Sequence, residues 1–149
     1  MDISLLLHNG VVHIPTSYLV ERKGFFFENS PLGSVPVEQT ERLRQAILTA
    51  MGRGNPPISL SKFKSLSGSK NSVLLRATGA RSWYDLDRQI KGLWSMAEKD
   101  GVYKIRVKQP METHGWHEDK TKRVQFPPGT PVEDAIERLI TMIQECARQ

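Results

Sequence analysis

Apolar and polar positions change period several times along this chain, and the changes mark its elements. Residues 3–8 are mostly apolar and read as a strand. Asn9-Gly10 follows as a hairpin turn, because both central residues of a type I′ turn need positive φ. Residues 11–14 return as a second strand, which Pro15 stops, and residues 18–21 and 25–28 read as a further pair about Gly24. Phe25, Phe26 and Phe27 cannot all face one side of a strand, so at least one points away from the main core. Residues 31–36 read as a turn. From Val37 the period becomes helical, with Leu43, Ala46, Ile47, Ala50 and Met51 on one face and Gly52 and Gly54 at the end.

Residues 54–72 break the pattern. They are rich in Gly, Pro, Ser and Asn, carry Lys62, Lys64 and Lys70 without an acid, and read as a long loop that Ile58, Leu60, Phe63 and Leu66 partly tie down. Residues 73–77 read as a buried strand. Ser82 is placed as the cap of a second helix with Asp85 at N3; its apolar face is Trp83, Leu86, Ile90, Leu93, Trp94 and Ala97, and Asp100-Gly101 closes it. Residues 102–108 alternate cleanly, Tyr103, Ile105 and Val107 against Lys104, Arg106 and Lys108, and predict a strand. Residues 110–120 read as a loop and 122–126 as a short strand. In the block 126–133, Thr130 is placed as N-cap, Pro131 as N1 and Glu133 as N3 of a last helix that turns Val132, Ile136, Leu139, Ile140 and Ile143 inward. The strands are mostly joined without helical crossovers. That order predicts an α+β domain over residues 1–149, a mostly antiparallel sheet with about three helices packed on it.

Bulk properties narrow the setting. A chain of 149 residues is most simply one domain with a real core. No apolar run approaches the ~20 residues of a membrane helix, and the first residues lack the charge and length of a signal peptide. With the lone Cys146 excluding an internal disulfide, the expectation is a cytoplasmic protein. Cys146 falls on the apolar face of the last helix and reads as a small core residue. The charge is uneven: residues 1–52 net −1, residues 53–108 hold 12 basic and 4 acidic side chains for a net of +8, and residues 109–149 net −2. A basic middle suits nucleic acid, an anionic ligand or an acidic protein.

Candidate chemistry is sparse. His114 and His117 sit at i, i+3 in a polar cluster and form a pair suited to a small histidine-dependent hydrolase or nuclease; Gly115 and Pro110 place them in a loop, where spacing fixes no geometry. His8 and His13 flank the first hairpin turn and can face each other across it. The phosphate-loop, dinucleotide-binding, nucleophile-elbow and zinc-helix motifs are all missing, so no cofactor or metal is expected. The stronger signal is a surface: Lys104, Arg106 and Lys108 form a basic stripe, with the segment Lys62, Phe63 and Lys64 before it and Trp116 as the aromatic expected to be free. The same stripe suits a nucleic-acid-binding accessory protein.

The segments Ile14-Pro15-Thr16, Pro36-Val37, Gly54-Asn55-Pro56, Val73-Leu74-Leu75, Ser82-Trp83, Gly101-Val102-Tyr103 and the block from Phe126 to Thr130 span most of the chain in order. In these the chain resembles small bacterial immunity proteins of contact-dependent inhibition and related polymorphic toxin systems. The resemblance implies a small cytosolic partner that binds a toxin domain and blocks it. None of the shared segments is a binding motif, so no contact residue carries over. Immunity proteins against nucleases are often acidic, whereas this chain is basic, which implies an acidic toxin or one blocked away from its active site. The reading is therefore a non-enzymatic protein-binding module, with Lys62, Phe63, Lys64, Lys104, Arg106, Lys108 and Trp116 as its contact surface.

Overall fold

The computed structural model describes residues 1–68, 71–113 and 115–149. Its strands are β1 (Asp2–His8), β2 (Val11–Val20), β3 (Phe26–Pro36), β4 (Pro57–Ile58), β5 (Gly92–Lys99), β6 (Val102–Pro110), β7 (Trp116–Glu118) and β8 (Val124–Gln125). Its helices are α1 (Thr40–Arg53), α2 (Leu60–Leu66), α3 (Val73–Thr78), α4 (Trp83–Gln89) and α5 (Val132–Ala147). The strands form one open sheet in the order β3-β2-β1-β5-β6-β7, with β4 beside β2 and β8 beside β6; only the two-residue β2–β4 pairing is parallel. The fold is α+β as the sequence predicts, with five helices among the described residues rather than about three.

One face of the sheet carries the main core. Ile3, Leu5, Leu7, Val12, Ile14, Trp94, Met96 and Ile105 point into it, and α1 and α5 close it with Leu43, Ile47, Leu139, Ile140 and Ile143. Burying each such side chain contributes roughly 1.5–3 kcal/mol. The two helices are tied by Arg44 Nε donating to Glu137 Oε1 at 2.5 Å, and Gln144 Nε2 donates to the Val37 carbonyl and the Thr40 hydroxyl. The opposite face carries a second cluster at one end. There Leu74, Leu75, Ala80 and Leu86 of the α3–α4 segment pack on Leu6 and Leu93. Cross-strand register lays out this face in rows, Asp2–Ala97–Lys104, Ser4–Ser95–Arg106 and Leu6–Leu93–Lys108, so the basic stripe of β6 shares its side with α4.

Several expected elements differ. Pro15 does not stop β2; the strand runs on to Val20, and Pro15 sits at a register shift against β3, where no ladder N–H is demanded of it. Residues 31–36 are part of β3, not a turn. Residues 54–72 are not one loop, since β4 and α2 lie within them. Residues 73–77 are helical: Ser72 Oγ accepts from Leu75 N and Gly79 closes the turn at φ 75°. The helix expected from Ser82 to Gly101 ends at Gln89, and β5 takes over at Gly92. Ser82 does cap α4, accepting from Asp85 N, while Asp85 Oδ2 accepts from Arg81 N. Thr130 does not cap α5. Its hydroxyl donates back to the Pro127 carbonyl at 2.7 Å, and Pro131 is the residue at the helix start.

Candidate functional site

The expected contact residues divide between two places. Lys62, Phe63 and Lys64 lie on α2, beside the β2–β4 edge, whereas Lys104, Arg106 and Lys108 lie on β6, with β1 and β5 between. Phe63 is structural: its ring meets Phe25 and Phe27 edge-on at centroid distances of 5.2 and 5.1 Å. That contact holds α2 on the sheet and leaves Lys62 and Lys64 exposed around it. Phe25 and Phe26 are both exposed, as expected for at least one of the three phenylalanines.

Along β6 the three cations are unequal. Arg106 donates to Asp2 Oδ2 at 3.1 Å and lies 3.7 Å from Glu118 Oε1, and Glu118 is also held by Arg123. The hydrogen bonds from Arg123 keep the Glu118 carboxyl below the usual range, so it stays charged and commits Arg106 further. Lys104 and Lys108 form no ion pair among the described residues and are the available charges of the stripe.

An aromatic patch lies on the same side of the sheet as the Lys108 end of this stripe. Trp83 (48% exposed), Tyr84 (52%) and Met111 (48%) are among the most exposed large apolar side chains of the protein. A cleft of about 520 Å³ lies between α4 and the β6–β7 connection, lined by Tyr84, Arg88, Ile90, Pro110, Met111 and Trp116. The Arg88 guanidinium stands 5.8 Å from the Tyr84 ring centroid, in cation–π range. Gly115 N donates to Asp87 Oδ2 at 3.0 Å and ties the connection to α4. Trp116 is therefore half-buried as a wall rather than free, and Trp83, placed by periodicity in the core, faces outward. Sequence reasoning missed Trp83, Tyr84 and Met111 because the pattern extended α4 into β5 and so rotated the apolar face assigned to it.

The histidines do not assemble a catalytic pair. His114 lies outside the described residues. His117 is exposed and its Nε2 lies 2.8 Å from Gln109 Nε2. His8 and His13 do come together, with ring centroids 6.3 Å apart, but both are buried. His8 Nε2 meets Gln89 Oε1 at 3.1 Å and His13 Nδ1 meets Ser34 Oγ at 2.8 Å, so both rings are occupied by structural partners. Burial, with a smaller contribution from His8, pushes the pKa of His13 down and keeps it neutral. Among the described residues no three His, Cys, Asp or Glu side chains gather as metal ligands, and no helix is long and apolar enough to cross a membrane.

No protein-family model matches the chain, and no curated protein does. A solved structure of a protein of unknown function from Neisseria meningitidis is similar, with a TM-score of 0.66 over 95% of this chain and 92% of that one at 13% identity. At that identity the likeness is one of fold, and it extends over nearly the whole of both chains.

Proposed function

We propose that this protein is a non-enzymatic binding module that docks another protein, and that the partner is a toxin domain which it neutralises. The observation that carries this reading is the exposed group Trp83, Tyr84 and Met111 by the α4 cleft, with Arg81 and Arg88 on the same helix segment and Lys108 of the β6 stripe on the same side of the sheet. Aromatic side chains ringed by arginines are the composition of interface hot spots, and such side chains cost solvation when left uncovered. The cations around the patch favour a partner with an acidic rim. The contacts of Phe63 move α2 out of this surface and leave it a structural role. The immunity role itself rests on the sequence resemblance.

The test is capture from a lysate of the source cells, with and without nuclease, using the protein and its Trp83→Ala/Tyr84→Ala variant in parallel. The expected result is one protein recovered equally with or without nuclease, lost with the variant, toxic when expressed alone and harmless when co-expressed with this chain. The unpaired Lys104 and Lys108 also suit a phosphate backbone. Recovery that collapses with nuclease and falls steeply with salt would assign the stripe to nucleic acid and overturn the proposal.

A further inference from the structure

We propose a second site, which adjoins the docking surface at Lys108 and Trp116: the cleft between the Gly92 end of the sheet and α5 binds a small molecule that carries an oxyanion on an apolar body. The cleft measures about 450 Å³, within the size range of ligand sites. Four cations converge on it from four separate segments: Lys91 before β5, Lys108 on β6, Lys122 before β8 and Arg138 on α5. One carboxylate side chain, Glu145, faces them. Glu118 across the strand from Lys108 and Asp119 beside Lys122 offset part of this charge, and a bound anion would offset more of it.

Existing contacts leave most of this charge available. Lys91 Nζ donates to the backbone oxygens of Ala147 and Gln149 at 3.0 and 2.6 Å, which fixes it at the rim. Lys122 reaches Asp119 only at 3.9 Å and is largely exposed. Lys108 and Arg138 have no ion pair among the described residues. Burial raises the pKa of the Cys146 thiol, so it adds no negative charge to the wall.

The floor is apolar. Trp94 lies across Gly92 so closely that a Cβ there would fall 2.2 Å from its ring, and Val107 and Met142 flank it. Trp116 forms the wall, and its Nε1 donor is buried without an acceptor. Cations at the rim and an apolar floor together describe a carboxylate or phosphate attached to a flat or aliphatic group.

The experiment is an NMR titration of the ¹⁵N-labelled protein at pH 7 and physiological salt with phenyl phosphate, phenylacetate and inorganic phosphate. The Trp116 indole N–H should shift saturably with one of the two phenyl probes, with a dissociation constant below about 1 mM, and inorganic phosphate should bind roughly tenfold more weakly for want of the apolar body. Whichever phenyl probe is tighter identifies the head group. Lys108→Glu with Arg138→Glu should abolish the shift, and the milder Arg138→Gln should weaken it. Lys104→Glu, on the same strand outside the cleft, should leave it unchanged. Linear shifts that never saturate, or an unchanged curve in the Arg138→Gln and double variants with amide dispersion retained, would overturn the site.

Discussion

His13 and Glu28 leave opposite marks on stability as pH changes. The His13 pKa is pushed down by burial, so the folded state holds fewer protons than the unfolded chain below about pH 6.5, and stability falls as pH drops through that region. The Glu28 pKa is pushed up by burial, against the hydrogen bond with the Ser4 side chain and with a further push from Asp2. Its ionised form therefore penalises the fold at neutral pH, and the penalty disappears as acid protonates it through its raised pKa. Glu28→Gln should raise the melting temperature by a few degrees at pH 8 and change it little at pH 4, as thermal unfolding at the two pH values will show. A gain of equal size at both would mean that the charge is not the cause. Neither effect was legible in the sequence. His13 reads as a strand-end histidine until Ser34 of β3 and His8 of β1 are placed beside it, and Glu28 gains its surroundings from β1, more than twenty residues away.

Among the elements, short caps decided more than apolar period. Residues 73–77 carry the apolar run of a buried strand, yet Ser72 and Gly79 bracket them as a helix. The run 83–97 satisfies the helical spacing by accident, because α4 and β5 each supply part of it. The signals against a single helix were present: Gly92 in its middle, and Asp100-Gly101, which forms a turn with φ of 53° and 78° between β5 and β6. Elements with one strong local signal came through intact, as in the Asn9-Gly10 hairpin, the α1 face and the alternation of β6. Ser82→Ala should cost about 1 kcal/mol, since it removes the acceptor for Asp85 N. Thr130→Ala should cost clearly less, because Thr130 caps nothing; denaturant titration of the two variants compares them directly. Gly92→Ala should cost about 1–3 kcal/mol through displacement of Trp94. A neutral result there would mean that the indole can move aside.

At the scale of the molecule, the sheet separates a dry face under α1 and α5 from a face that is covered at one end and charged at the other. The α+β class was readable because class follows element order, which survives errors in single elements. The contact surface was readable in half. Alternation alone put Lys104, Arg106 and Lys108 on one side of β6, but Asp2 and Glu118, far away in sequence, take up Arg106. The aromatic patch depends on where α4 stops. Its position beside Lys108 arises from β1–β5–β6 pairing, which no local pattern encodes. Trp83→Ala/Tyr84→Ala should cost no more than about 1 kcal/mol of stability, chiefly the Arg88–Tyr84 contact, while removing partner binding. The most direct test of the docking surface is amide hydrogen exchange of this chain with and without its captured protein partner. Protection confined to residues 81–90 and 108–118, with α2 unchanged, is the predicted result. Protection over α2 and the exposed Phe25–Phe26 edge, with α4 exchanging as before, would contradict it.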